Sequence, residues 1–274
     1  YNPAALRRDG AGRCVPVIGG GPAGMQAAIV LAERGFRPIL FERRAYLGGS
    51  AVLASKAPCK GLVAEYIETQ KNQLAALGVQ VELNHAPTMA ELRRLGPYGI
   101  FVTMGGQQIV PDIPGIDREN VFGIEDILLG RRVIAGREVA VIGGGHVGLE
   151  VAHFLCANNK VTIVEMADEI GASVYYITKF KLLPLLREAG VTFRTGQAIA
   201  AVDDGSIRLR DTHTGQCTEL KAEAVVLAMG SRPDLAARAA FDRNFDHVVY
   251  AGDAVRGGTM LEANRDAFAL AWEF

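Results

Sequence analysis

Residues 14–42 read CVPVIGGGPAGMQAAIVLAERGFRPILFE, and the pattern inside that stretch decides the fold. A short apolar run, Cys14 to Ile18, meets Gly19-Gly20-Gly21-Pro22-Ala23-Gly24. Met25 to Arg34 then carries a helical pattern, and a second apolar run, Ile39-Leu40-Phe41, ends in Glu42. Gly35 sits where the helix is expected to stop, because glycine takes the left-handed conformation of a C′ residue without a Cβ penalty. The order strand, G-x-G-x-x-G, helix, strand, acid is that of a β-α-β unit built to hold a dinucleotide. Its glycines allow a tight turn and a close approach of backbone to a pyrophosphate, whose charge meets the free N–H groups and positive dipole end of the helix. The closing acid accepts hydrogen bonds from ribose hydroxyls.

The same unit returns. Residues 139–165 read VAVIGGGHVGLEVAHFLCANNKVTIVE, with Gly143, Gly145 and Gly148 as fingerprint glycines, His146 and Val147 between them, and Glu165 at the strand end. One fingerprint is a weak signal; two complete units, 124 residues apart from Gly19 to Gly143, are a strong one. Each half also ends an apolar strand in glycine, Phe101-Val102-Thr103-Met104-Gly105 and Val226-Leu227-Ala228-Met229-Gly230. A chain with two dinucleotide sites is most simply an electron-transferring flavoprotein. Glu165 would repel a 2′-phosphate and no arginine follows it closely, Met166-Ala167-Asp168 coming next, so NADH is favoured over NADPH. The competing reading of Glu165 is a solvated strand end.

Composition narrows the rest. A length of 274 residues leaves room for two domains, and 49% hydrophobic with 22% charged residues is the balance of a soluble globular protein, expected in the cytoplasm. A formal net charge of −1 gives no reason to expect nucleic acid or an anionic membrane as partner. No apolar stretch is long enough to span a bilayer. No signal peptide is visible in a chain that begins at Tyr1 without methionine. Cys14, Cys59, Cys156 and Cys217 make no C-x-x-C pair, zinc knuckle or iron–sulfur run, and are expected as reduced, mostly buried small hydrophobes. No metal site is expected.

Along the chain, residues 1–13 are polar and irregular. A helix is expected over about 62–77, closed by Gly78, then a strand at 79–83, a short helix at 89–95 and a strand at 100–103. Pro111 to Gly115 is the best boundary signal. A short helix at 124–129 leads into the second unit. Residues 172–190 look helical, with Pro184 expected to kink the helix or end it early. Further strands are expected at 191–193, 199–202, 206–210, 225–228 and 248–251, with a hairpin turn at 211–216 and a closing helix from about Met260. The domains expected are 1–116 plus 231–274 for the first site and 117–230 for the second.

Val249-Tyr250-Ala251-Gly252-Asp253-Ala254, followed by Gly257-Gly258-Thr259-Met260 and a helix, resembles the second FAD motif of two-dinucleotide (glutathione-reductase-like) flavoproteins. The resemblance implies an α/β fold of two Rossmann-like FAD/NAD(P)-binding domains, one inserted in the other. It also implies FAD in the first site, with Asp253 on the ribityl chain and the following helix N-terminus at the flavin pyrimidine; a turn aspartate capping a helix is the competing reading. Phe41-Glu42-Arg43, Leu47-Gly48-Gly49, Ala57-Pro58-Cys59-Lys60, Leu77-Gly78-Val79 and Ile113-Pro114-Gly115-Ile116-Asp117 resemble more closely the C-terminal half of the large bacterial NADH:flavin oxidoreductases, the family of 2,4-dienoyl-CoA reductase, 2-enoate reductase and trimethylamine dehydrogenase. Tyr1-Asn2-Pro3-Ala4-Ala5 resembles the segment after their last iron–sulfur cysteine. The family places a TIM barrel with FMN and a [4Fe–4S] cluster before this region, so the chain reads as the reductase half of such a protein, with that barrel as its missing partner.

Departures from the resemblance are informative. After Gly48-Gly49 comes Ser50-Ala51-Val52-Leu53-Ala54-Ser55, with no cysteine pair, which argues against disulfide exchange. Pro16 lies in the first strand, where a central parallel strand would lose a ladder hydrogen bond. The usual Ala-Thr-Gly strand end is Thr103-Met104-Gly105. The reaction expected is hydride transfer from NADH to the flavin between the two modules, with no side-chain acid or base. His146 is read as a bystander using its backbone, His85, His153, His213 and His247 as structural, Lys60 as solvated, and Arg43 as a contact for adenine. Alternatives are the electron-input subunit of a glutamate synthase, a lone-cysteine oxidase using Cys59, and an ADP-binding structural module without redox activity.

Overall fold

The computed structural model describes residues 5–274, so the Tyr1–Ala4 part of the N-terminal resemblance lies outside the described residues. The chain divides into two compact units, the second inserted into the first. The first opens with β1 (Cys14–Ile18), α1 (Pro22–Glu33), β2 (Arg37–Glu42), α2 (Gly49–Ala54), α3 (Gly61–Ala76), β3 (Gln80–Leu83), α4 (Met89–Arg94), β4 (Ile100–Val102) and β5 (Gly106–Gln108). The second holds β6 (Val121–Gly123), α5 (Ile124–Leu128), β7 (Glu138–Ile142), α6 (His146–Leu155), β8 (Lys160–Val164), α7 (Tyr176–Glu188), β9 (Thr192–Arg194), β10 (Gln197–Val202), β11 (Ser206–Asp211), β12 (Cys217–Lys221) and β13 (Ala224–Leu227). The first unit resumes with β14 (Ser231–Pro233), α8 (Leu235–Asn244), β15 (Val248–Tyr250) and α9 (Met260–Glu273).

Each unit is built on a five-stranded parallel sheet, ordered β15-β4-β1-β2-β3 in the first and β6-β13-β7-β8-β9 in the second. The orders superpose as copies of one pattern, except that the outermost strand comes from after the repeat in the first unit and from before it in the second. In both, the strand order reverses beside the glycine-loop strand, the place where an open α/β sheet leaves a crevice at its strand ends. The second unit adds an antiparallel meander, β10-β11-β12, and β5 pairs with β14. The expected hairpin turn joins β11 to β12, Asp211 N–H donating to Gln216 O at 2.9 Å.

Burial explains why these segments fold as they do. In α1, Ala23, Met25 and Ala27 to Leu31 are all buried, as befits a helix covered by the sheet, α3 and α9. In the second unit Ala140, Ile142, Val164, Val225 and Leu227 pack with Ile199, Val202, Ile207 and Leu209 of the meander.

Several expectations need correction. The main passage into the second unit falls between Gln107 and Gln108, ahead of the Pro111–Gly115 connector. That connector belongs to the second unit: Pro114 O accepts from Val202 N at 2.9 Å, and Ile113 and Ile116 pack on the second core. Residues Lys56–Lys60 also group with the second unit. The helix after residue 172 starts only at Tyr176, since Gly171 to Val174 form a turn closed by Val174 N to Gly171 O. Pro184 does not end it; the helix runs on to Glu188 with Pro184 on its exposed face. Pro16 is tolerated in the central β1 for a related reason. Thr103 N bonds Ile18 O on the β4 side and Gly19 N bonds Phe41 O on the β2 side, so alternation turns Pro16 toward β4, where pairing begins only at Val17. The cysteines are free, but Cys59 and Cys217 are exposed rather than buried, one at a positive-φ turn and one on β12. No helix among the described residues is long and apolar enough to cross a membrane.

Candidate functional site

In the first unit the loop after β1 turns at Gly19, whose φ of 108° only glycine adopts freely, and whose N–H bonds Phe41 O at 2.8 Å. A Cβ on Gly24 would lie 1.9 Å from Gly19 O, so the third glycine lets α1 press onto the loop. Gly21 caps α1 with no side-chain cap, Pro22 holds its first position, and its first turn carries no acid. The N–H groups at that end are therefore free for an anion. Glu42 is 6% exposed and fixed by two backbone donors, Gly20 N to Oε2 at 2.7 Å and Arg44 N to Oε1 at 2.8 Å. Arg43 is exposed beyond it. Gly48 N bonds Gly20 O at 2.8 Å, and a Cβ on Gly49 would stand 3.0 Å from Gly21 Cα, so Gly48-Gly49 docks on the phosphate loop.

The far end of the chain joins the same place. A Cβ on Gly252 would lie 3.1 Å from the Cβ of Ala23, which sets the Gly252-Asp253 turn beside the start of α1. Asp253 Oδ1 accepts from Gly258 N at 3.2 Å; burial raises its pKa, the Gly258 N–H offsets part of that, and the charge of Glu262 adds to the rise. Thr259 caps α9 and Met260 begins it. Gly105, φ 77°, follows β4 with open space where a Cβ would point. Thr103 lends its hydroxyl to Gly19 O at 2.9 Å, a contact that the sequence reading did not assign.

The second unit repeats this construction. Gly143 has φ 111° and bonds Val164 O at 2.8 Å; Gly144 N donates to Glu165 Oε2 at 2.6 Å and Ala167 N to Oε1 at 2.9 Å. Gly145 caps α6 without a side chain, with open space before it, and a Cβ on Gly148 would lie 1.9 Å from Gly143 O. Gly171 N bonds Gly144 O at 2.9 Å, the counterpart of Gly48 on Gly20. Gly230 faces open space, and Val147 is exposed on the first turn of α6.

The side chain of His146 is not idle: its Nε2 is 3.2 Å from Glu150 Oε1, one helical turn on, and Lys60 Nζ is 2.6 Å from the same atom. Lys60 is thus paired, not simply solvated. Burial alone would raise the Glu150 carboxyl, but His146 and Lys60 outweigh it and hold the pKa below its ordinary value. The i,i+4 spacing of His146 and Glu150 was the available signal; the Lys60 partner had none. His213 Nε2 meets Asp168 Oδ1 at 2.6 Å on the surface, and that carboxylate raises the His213 pKa. Among the described residues no group of three or more His, Cys, Asp or Glu is arranged to hold a metal ion.

Both cradles fit a dinucleotide on their own geometry: an uncapped helix start, open space before Gly105, Gly145 and Gly230, and a carboxylate held rigid at the end of the second strand. Such a pair places the chain among the NAD(P)H-dependent FAD oxidoreductases, with FAD and a nicotinamide dinucleotide as cofactors. The chain belongs to the pyridine nucleotide-disulphide oxidoreductase family, whose model matches residues 14–247. It is 33% identical over 265 residues to an NADH oxidase of Thermoanaerobacter brockii, covering 94% of this chain and 40% of that protein. A cinnamate reductase of Clostridium sporogenes is 30% identical over 263 residues, covering 94% and 38%. The solved structure of a 2-naphthoyl-CoA reductase in complex with 2-naphthoyl-CoA superposes with a TM-score of 0.89 at 27% identity, covering 99% of this chain and 41% of that one. The chain spans about 40% of the length of the curated relatives it matches.

Proposed function

We propose that the chain is the NADH-accepting module of a larger NADH:flavin oxidoreductase of the 2,4-dienoyl-CoA and 2-enoate reductase kind, with FAD in the first unit and NADH in the second. The observation that carries this is the doubled cradle, in which only the first copy is joined by the Gly252–Met260 segment. Bound FAD supplies two-electron chemistry, taking a hydride from NADH and releasing NAD⁺. The chain's residues position and charge-match: Gly19, Gly21, Ala23 and Gly24 receive one pyrophosphate, Glu42 a ribose, and Gly48, Gly49, Gly105, Asp253, Thr259 and Met260 the remainder of the flavin nucleotide. Gly143, Gly145, His146, Val147, Gly148 and Gly230 serve the second nucleotide. Glu165 faces its ribose as a carboxylate pinned by two N–H groups, which supports NADH over NADPH. No side chain is assigned as acid or base.

In the parent protein, an iron–sulfur cluster and FMN would carry the electrons on to an enoate-type acceptor. Relatives named as a cinnamate reductase and a 2-naphthoyl-CoA reductase, each more than twice as long as the span they share with this chain, support a longer parent and an unsaturated acceptor. The test is anaerobic: the purified chain loaded with FAD is yellow and bleaches on adding NADH. Protein that takes up no FAD, or yellow protein that NADH leaves unbleached, refutes the reading and favours an ADP-binding structural module.

A further inference from the structure

One carboxylate of the first unit, that of Glu262, closes the N-terminus of α9. Thr259 N and Thr259 Oγ1 both donate to Glu262 Oε2 at 2.8 Å, and Glu262 N donates back to Thr259 Oγ1 at 3.2 Å. This capping box occupies two of the donors at the helix start and leaves the N–H groups of Met260 and Leu261. It also sets a full negative charge against a dipole end worth roughly half a positive one. A helix start expected to favour negative charge therefore carries the opposite sign. The carboxyl is held ionised by its bonds to the Thr259 backbone and hydroxyl, with Arg256 and Arg265 as the nearby cations.

Glu262 lines a groove of about 310 Å³ together with Gly252, Asp253, Arg256, Gly258 and Thr259. The groove continues along α9 to Asp266 and Leu270, and the sheet order says what lies beside its Gly252 end. With one ribose on Glu42 at the end of β2 and the pyrophosphate at α1, the rest of a dinucleotide extends toward β4 and β15. Gly252 stands beside Ala23 on that path. The redox-active end of the cofactor thus reaches the Asp253–Glu262 segment.

We propose that Glu262 sets the flavin potential: its carboxylate opposes the negative charge that two-electron reduction leaves on the ring and so lowers the midpoint potential. The inference rests on FAD occupying the first unit. Hydride transfer oxidises NADH to NAD⁺ and delivers two electrons and one proton, so one net negative charge remains for Glu262 to oppose.

The test measures the midpoint potential of the FAD-loaded chain against reference dyes at fixed ionic strength. Glu262→Gln keeps a carbonyl to accept from Thr259 N and removes only the charge. Its equilibrium constant for two-electron reduction is expected to rise roughly tenfold, about 30 mV for a two-electron couple. Arg256→Gln, which removes a cation from the same groove, is expected to shift the constant the opposite way and keeps the test open if the first variant does not fold. Glu273→Gln, at the far end of α9, is expected to change it less than twofold. A Glu262→Gln equilibrium constant within twofold of wild type, an Arg256→Gln shift upward, or an equal shift in Glu273→Gln overturns the proposal. Wild-type protein that binds no FAD overturns the reading of the first unit itself, whereas an unmoved potential in yellow protein overturns only the role of Glu262.

Discussion

Replacing Glu42 by glutamine separates the electrostatics of the first cradle from its packing, because the two side chains have the same shape. The carboxylate is 6% exposed and receives Gly20 N at 2.7 Å and Arg44 N at 2.8 Å. An amide offers one acceptor oxygen and one NH₂, so one backbone N–H must face another donor. The Gly20 contact is buried and the Arg44 contact only partly so, hence the oxygen keeps Gly20 and the NH₂ turns toward Arg44. One charge-assisted bond is lost and the other becomes neutral, a cost of about 2–4 kcal/mol. The same change at Glu165, which is half-buried and bonded to an exposed Ala167 N–H, costs about 1 kcal/mol or less, since water replaces what is lost. Trp272, the single tryptophan, lies on α9 of the first unit, so urea denaturation followed by its fluorescence reports that unit. Glu42→Gln is expected to lower the tryptophan transition by that amount and weaken FAD binding, while Glu165→Gln leaves the transition in place. A Glu42→Gln value within about 0.5 kcal/mol of wild type, well below the range expected for a buried orphan donor, or an equal shift from Glu165→Gln, refutes the reasoning.

Further outcomes follow from the second unit. Gly148→Ala drives a methyl to 1.9 Å from Gly143 O, so α6 must lift from its loop; a loss of about 1–3 kcal/mol and of NADH binding by fluorescence titration is expected. Glu165→Ser removes the charge that repels a 2′-phosphate and should raise the NADPH to NADH ratio of kcat/KM at least about tenfold, or 1.4 kcal/mol; an unchanged ratio places the discrimination elsewhere. Because the native Glu150 pKa is lowered, its pairing stabilises the protein above the unfolded value and fades as pH falls through the native one. The stability gap between wild type and Glu150→Gln should narrow as pH falls below about 4.5, the ordinary carboxyl value; a gap that goes on widening below that pH contradicts the ion-pair assignment.

The parts of this molecule legible in its sequence are those whose causes are local. Gly19 and Gly143 announce themselves because only glycine turns there, and Glu42 and Glu165 because an acid ends each second strand. What stayed hidden depends on residues far apart along the chain. Lys60 meets Glu150 across 90 positions, from Lys60 to Glu150, with no periodic signal. The passage to the second unit at Gln108 is set by contacts of Pro114 with Val202 rather than by the prolines themselves. Pro184 and Pro16 were read by the rule for an isolated proline; the fold relieves each by where it turns the missing donor. The charge at the start of α9 is legible in the capping-box spacing of Thr259 and Glu262, but the FAD-motif resemblance points to the helix start and not to the side chain that closes it.

The two ends of the segment Gln108–Gly230 are bound to each other: Ile109 N donates to Gly230 O at 3.0 Å, and β5 runs paired with β14 beside them. The segment from 110 to 229 therefore begins and ends at one double-stranded stem. Cutting it out and splicing the stem closed asks for a link of only a few residues, which makes residues 109 and 230 the natural junctions for exchanging the second cradle against one of different coenzyme preference.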